Sequence, residues 1–363
     1  MESNNTLKKS LLLIPDISGF TKFVNETEIV HGVHIISELL EIIIKNNTLG
    51  LEVAEIEGDA VLFYKYTDKP TIKELYEQCK KMFIAFHHHI KYYERDRICD
   101  CGSCSNTPQL TLKFVIHYGD VIERNILGHF QLMGADVTTA HKLMKNDVPE
   151  DEYILISEGS FLESEPKKLP DWFKLNKDST DYKDIGIVSY HHLKLTELHK
   201  EVPVLTPRKK IDSEPIQLKL NWRIKHPLKK TFELLTSLER KYEWIAVKAI
   251  NFDKNEVERV GTKHECITPA GALHIETIQL EKNNNTMYFA EFIEASGIFP
   301  STTTAFKLQK ENSESCTLIL EVRFKKSFIN TMVYKPLIAT SFNKNIKNLE
   351  KILKEESVTN KKN

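Results

Sequence analysis

The chain has no apolar run that approaches the ~20 residues of a membrane-spanning helix. It has almost no net charge: 50 Lys and Arg against 51 Asp and Glu leave −1. The basic footprint that nucleic acid demands is therefore missing, as is an acidic tail. Cysteine is sparse, with six in 363 residues, and the apolar stretch after Met1–Ser10 is too short for a signal peptide. Those two features together lead us to expect a reducing, cytoplasmic setting. Proline is scarce too, yet three of the 13 fall between Lys200 and Pro215 beside the basic run Arg208-Lys209-Lys210. That stretch has neither a helical nor a strand period and reads as a linker. A chain of this length suggests two domains, and the boundaries expected are 1–199, a linker at 200–215, 216–356, and a tail at 357–363.

What is present begins with two short segments, Pro15-Asp16-Ile17-Ser18-Gly19-Phe20-Thr21 and Glu55-Ile56-Glu57-Gly58-Asp59-Ala60. Each puts a carboxylate at the edge of an apolar strand where the backbone turns. Two carboxylates on neighbouring strands make an oxygen site for a hard cation such as Mg²⁺ or Mn²⁺ carrying a nucleotide phosphate. A strand followed by Gly19-Phe20-Thr21 and a helix offers free backbone N–H groups to an anion. Helical periodicity runs from about Gly19 to Asn46 and from about Thr71 to Glu94. Strands are expected at Leu110–His117, in a hairpin turning near Gly128, and near Tyr153–Ile156 and Ile185–Leu195.

The order Asp16-Ile17-Ser18-Gly19-Phe20-Thr21, Gly58-Asp59, His117-Tyr118-Gly119 and Gly134-Ala135-Asp136-Val137-Thr138-Thr139-Ala140-His141-Lys142-Leu143 resembles the class III nucleotidyl cyclases, the adenylate and guanylate cyclase homology domain. The resemblance covers roughly residues 8–165 and is nearest to a bacterial branch with a Cys-rich insert. It implies a ferredoxin-like α+β domain with a metal held at Asp16, Ile17 and Asp59, and a nucleoside triphosphate at Gly19, Phe20 and Thr21. It also implies base selection by Glu55 and Gln131. A glutamate at the first of these positions goes with guanine, whose N1–H and 2-amino groups it can accept, so GTP is expected over ATP. The asparagine and arginine that stabilise the family's transition state are replaced by Thr138 and Lys142. Lysine keeps the charge and loses the planar fork, and one lost preorganised donor typically costs ~10²–10³ in rate. The resemblance further implies a head-to-tail homodimer, with the carboxylates from one subunit and the late helix from the other.

From Ile216 onward the order is a strand, His226-Pro227, a helix, a series of strands over Val247–Phe324 and a long amphipathic helix containing Leu337, Ile338, Phe342, Ile346, Leu349, Ile352 and Leu353. That order resembles the START-like helix-grip fold, also called SRPBCC, which implies a cavity for an apolar small molecule. Trp222, Trp244, Phe289, Phe306, Phe324 and Phe342 are the lining candidates.

Cys99, Cys101 and Cys104 can supply three corners of a tetrahedral Zn²⁺ site, with His87, His88, His89 or another subunit as the source of the fourth. A redox pair and inert surface thiols are the rival readings. The resulting expectation is a signalling protein that binds a metal and a purine nucleotide, with weak cyclase activity, coupled to an apolar-ligand domain. The alternatives are an inactive nucleotide sensor, and a hydrophobic-ligand binder in which the cyclase-like domain only dimerises.

Overall fold

The computed structural model describes residues 6–19, 29–99, 101–162, 169–206, 214–254, 257–269, 271–296 and 299–359. The chain divides into two units: Met1–Tyr92 with Asn106–Leu205, and Tyr93–Ser105 with Thr206–Asn363. The cysteine segment thus groups with the second unit, whereas its sequence position suggested an insert in the first. Backbone bonding explains this. Ile98 N–H donates to the Glu258 carbonyl at 2.8 Å, and Val260 N–H donates to that of Asp96 at 3.0 Å. Lys282 Nζ donates to the Ile98 carbonyl at 2.7 Å, and the Ile98 side chain joins the second unit's core.

The first unit is α+β. Its elements are β1 (Lys8–Ser18), α1 (Ile29–Lys45), β2 (Glu52–Glu57), β3 (Ala60–Tyr66), α2 (Ile72–Asp96), α3 (Gly102–Asn106, of the second unit), β4 (Thr111–Ile126), β5 (His129–Met133), α4 (Ala135–Leu143), β6 (Tyr153–Ser157), β7 (Asn176–Tyr182) and β8 (Gly186–Lys194). The sheet order is β2-β3-β1-β4-β6-β8-β7, with β5 paired to β4. The run β1-α1-β2-β3-α2-β4 with order β2-β3-β1-β4 is the ferredoxin-like arrangement. β1 is central, and its continuous apolar run Leu11–Ile14 is buried, as suits a strand covered on both faces. The helices bury the faces their periodicity assigns: Ile35, Leu39, Leu40 and Ile43 on α1, and Leu75, Cys79, Met82, Phe83, Phe86 and Ile90 on α2. The expected start of α1 near Gly19 falls on residues 20–28, which lie outside the described residues, as do Phe20 and Thr21.

Two strand expectations change. β4 continues past His117 to Ile126 because its second half pairs with β5, and the chain reverses through Leu127 (φ 53°) and Gly128 (φ 90°). Positive φ at both central residues matches the right-handed twist of a hairpin. β7 has no counterpart in the sequence reading, since Asn-Lys-Asp-Ser-Thr-Asp-Tyr is a polar edge strand without an apolar alternation.

The second unit continues with β9 (Ile216–Ile224), α5 (Leu228–Thr236), α6 (Leu238–Trp244), β10 (Ala249–Asn251), β11 (Lys263–Thr268), β12 (Gly271–Lys282), β13 (Thr286–Ile293), β14 (Thr302–Asn312), β15 (Ser315–Phe324) and α7 (Lys335–Thr359). Its strands form one antiparallel sheet in the order β10-β11-β12-β13-β14-β15-β9. Ile346, Leu349 and Leu353 of α7 are buried in the core with Phe232, Phe289, Phe306 and Leu320. Leu337, read as inward, is mostly exposed. Truncating Leu349 to Ala removes a fully buried side chain, so it should destabilise this unit by about 2–5 kcal/mol, seen as a lower urea midpoint in the full chain.

Candidate functional site

Asp16 lies on β1 directly opposite Ala60 of β3 and Lys113 of β4. The residue is 7% exposed, and its carboxylate takes the Lys113 ammonium at 3.1 Å. Asp59 sits in the β2–β3 turn after Gly58 (φ 63°), and its carbonyl accepts the Ile17 N–H at 3.0 Å. Burial first, and then the charge of Asp16, push the Asp59 carboxyl above its ordinary value. Two carboxylates in mutual electrostatic reach, one already met by an ammonium, form a site that favours added positive charge. Lys113 is the residue the sequence reading missed. Its signal was a lone lysine inside the otherwise apolar strand Leu112–Ile116, since lysine is rarely buried unless paired.

Glu55, Gln131 and Thr138 come together in a different place. A cleft of about 520 Å³ is lined by Glu55 of β2, Phe130 and Gln131 of β5, and Val137, Thr138 and His141 of α4. Phe130 stacks on Tyr64 with ring centroids 5.7 Å apart, giving the cleft an apolar wall. Asp16 and Asp59 are not among its lining residues. Thr138 Oγ1 donates to the Gly134 carbonyl at 3.3 Å. Lys142 turns away from the cleft and pairs with Asp184 at 2.7 Å. Gly19 is exposed, with φ 90°.

The helix that carries Thr138 is held by a polar chain, buried at His117, Ser157 and Ser160 and half-buried at Asp136. The His117 ring bonds Ser157 Oγ through Nδ1 at 2.6 Å and Asp136 Oδ1 through Nε2 at 3.0 Å. Asp136 Oδ2 accepts the Asp120 N–H at 2.6 Å. Burial alone would raise the Asp136 carboxyl, but its bonds from His117 and Asp120 outweigh that and hold it below its ordinary value. Ser160 Oγ lies 2.5 Å from Ser157 Oγ and accepts the Tyr118 N–H at 3.0 Å. The chain leaves no room at Gly119, where a Cβ would stand 2.1 Å from Asp136 Cγ. His117 is thus a tether between β4 and α4.

Another cluster escaped the sequence reading. Glu152 is bracketed by His87 Nε2 at 2.7 Å and His199 Nε2 at 2.5 Å. Burial pushes His87 below its ordinary value, and burial of Glu152 is outweighed by its two imidazole bonds, which hold it low. These three donors lie within 4.8 Å of one another, yet the carboxylate is already satisfied by the two rings. His89 bonds Glu38 at 3.1 Å, so the His87-His88-His89 run is spent in separate directions.

In the second unit, the sulfurs of Cys99, Cys101 and Cys104 lie within 4.8 Å of one another, and all six cysteines are free thiols. Cys104 is fully buried. Bonds to the Cys101 and Cys99 sulfurs, then burial, push its thiol far up. Elsewhere in this unit a cavity of about 390 Å³ is bounded by α6, β11–β14 and α7. Trp244, Phe306 and Phe342 line it as expected, while Phe289 and Phe324 are buried core residues outside its wall. Trp222 donates its Nε1–H to Asn343 at 3.0 Å and is not part of the wall either.

Residues 36–153 match a family described as a protein of unknown function, DUF2652. The uncharacterized protein Rv2561/Rv2562 of Mycobacterium tuberculosis is 29% identical over 161 residues, which is 44% of this chain and 73% of that protein. Among solved structures, the chain is similar to the adenylyl cyclase CyaB from P. aeruginosa, with 18% identity, 53% of this chain and 96% of that chain covered, and a TM-score of 0.39. It is also similar to the guanylate cyclase domain of RhGC from Catenaria anguillulae in complex with GTP, with 16% identity, 52% and 96% covered, and a TM-score of 0.38. At such scores the likeness decides nothing about chemistry, which has to come from the residues themselves. No helix among the described residues is long and apolar enough to cross a membrane.

The tether makes a sharp prediction. Replacing Gly119 by Ala must displace Asp136, so urea unfolding should register a loss of about 1–3 kcal/mol. A stability equal to the parent protein would mean that Asp136 moves at no cost.

Proposed function

We propose that the first unit is a class III cyclase homology domain that binds a purine nucleoside triphosphate with a divalent metal and retains weak cyclase activity. The observation that carries this reading is the gathering of Glu55, Gln131 and Thr138 in one cleft, apart from the Asp16–Asp59 pair. Each is half of a site, and a head-to-tail homodimer would bring the carboxylates of one copy to the cleft of the other. The oxygen donors of Asp16 and Asp59, with the Ile17 backbone, suit Mg²⁺ or Mn²⁺. When bound, such an ion supplies charge stabilisation to phosphate oxygens.

The chain's own residues do the rest. Glu55 accepts from the base edge, with Gln131 beside it. Phe130 offers an apolar face to the purine. Thr138 offers one hydroxyl donor where a charge develops. Gly19, with Phe20 and Thr21 beyond it, offers backbone N–H groups to phosphate. Lys113 is a competing cation at Asp16, so an arriving ion must share or displace it. The Lys142–Asp184 pair favours a second reading, an inactive nucleotide sensor, because a lysine held by a carboxylate is a poor partner for a triphosphate.

Calorimetry with GTP and ATP plus Mg²⁺ tests the site. Changing Asp16 and Asp59 to Ala should abolish metal-dependent binding, and Lys113→Met should tighten the metal about tenfold, a gain of about 1.4 kcal/mol. Unchanged nucleotide affinity in the double Ala variant would sink the assignment. An ATP preference would remove Glu55 as the selector. Mass analysis of product after incubation with each triphosphate separates the weak enzyme from the sensor.

The second unit is proposed to be a START-like helix-grip domain that takes an apolar small molecule in its cavity between sheet and α7. The three cysteines are proposed to hold Zn²⁺ as thiolates, completed by one further donor, because sulfurs this close can share one tetrahedral ion. Metal analysis of the purified full chain should find about one zinc per chain, lost in Cys104→Ser. A zinc-free protein with three alkylatable thiols would leave them as plain cysteines.

A further inference from the structure

The cavity of the second unit is not purely apolar. Lys241 and Glu291, both deeply buried, stand in its wall and pair with each other. His264 lies behind them, its Nε2 3.2 Å from Lys241 Nζ. Burial, then the lysine charge, push His264 down to about 2, so it is a neutral ring that can accept from the ammonium. Lys241 therefore spends two of its three protons, on Glu291 Oε1 and on His264. Among the described residues no hydrogen bond is made by the third proton or by Glu291 Oε2. Trp244 Nε1 and Asn345 Oδ1, in the same wall, are also buried without partners. A buried ion pair recovers its desolvation cost only when its remaining lone pairs and protons are satisfied.

Resting on the reading of this cavity as a ligand site, we propose that its ligand is a neutral amphiphile with a hydroxyl or primary amide head, set against Lys241 and Glu291. A hydroxyl can accept from the ammonium and donate to the free carboxylate oxygen at once. A plain hydrocarbon leaves both unpaired, which is costly in an apolar surround. A carboxylate head brings a second negative charge beside Glu291, and the pair has no net charge to compensate it.

Titrating the full-length protein with decane, 1-decanol and decanoate, read by calorimetry, tests the proposal. The alcohol should bind at least tenfold more tightly than either of the others. The double variant Lys241→Met with Glu291→Leu, which replaces the pair by apolar groups of similar size and so removes the cost of leaving it unpaired, should bind decane more tightly than the parent protein and lose the preference for the alcohol. Equal binding of decane and decanol by the parent protein, tightest binding of decanoate, or an unchanged preference in the double variant would each overturn the head-group assignment while leaving the cavity reading intact. Failure of all three probes to bind would remove the ligand cavity itself and this proposal with it. Should the double variant not fold, the order of the three probes on the parent protein still decides.

Discussion

The half-buried hydrogen bond between His117 and Asp136 is the contact on which the first unit's cleft depends. It joins the middle of β4 to the first turn of α4, and α4 carries Val137, Thr138 and His141 into the cleft wall. The same carboxylate accepts the Asp120 N–H, so strand and helix are fixed at two points. Ser157 and Ser160 extend the chain to β6 and the turn after it. In a low-dielectric interior such a chain is worth keeping only when every member is satisfied, and here His117, Asp136, Ser157 and Ser160 each have a partner. Gly119 and Gly134 follow from it: the first clears space for Asp136, and the second, at φ 144°, begins the helix with no room for a Cβ beside the Asp120 carbonyl.

Much of this was legible in the sequence because it was local. The apolar run into Asp16, the Gly58-Asp59 turn and the helical steps in α1 and α2 depend on neighbours within a few residues. Glu55, Gln131 and Thr138 were named from one motif pattern, and the fold brings them to one cleft. Lys113 was not found, because an alternating strand was scored by its apolar positions and not by the charge between them. The Glu152 cluster was invisible for another reason: Glu152 is 65 positions from His87, and no local period links them. In the second unit the strands and turns could be read, whereas the direction of each aromatic could not. Phe306 lines the cavity and its cross-strand partner Phe289 does not, a difference that no local period encodes.

Each unit contains one lysine–carboxylate pair in a place where a ligand is expected, and the two differ in kind. The Lys113–Asp16 pair stands beside a second, destabilised carboxylate, so its charges do not cancel and the site still favours a cation. The Lys241–Glu291 pair stands alone with a neutral imidazole, so its charges do cancel and what remains is hydrogen-bonding capacity. Breaking either by removing one partner leaves a stranded charge, and the penalty is larger where burial is deeper.

The division of the chain has a consequence for its synthesis. Residues 93–105, the last turn of α2 and the segment after it, precede β4 in sequence, yet they belong to the second unit, and Ile98 takes its bond from Lys282, 184 positions later. On the ribosome the first unit can close its sheet as soon as β8 emerges, while this segment must wait, with the Ile98 side chain uncovered, until β12 has been made. Chains are extended at about 5–20 residues per second, so the wait lasts on the order of ten seconds or more. A fragment ending at Leu205 would never end that wait, and one beginning at Ile216 would lack the piece of core that Ile98 provides. The two halves of this gene therefore cannot be exchanged at the linker as freely as the linker's composition suggests.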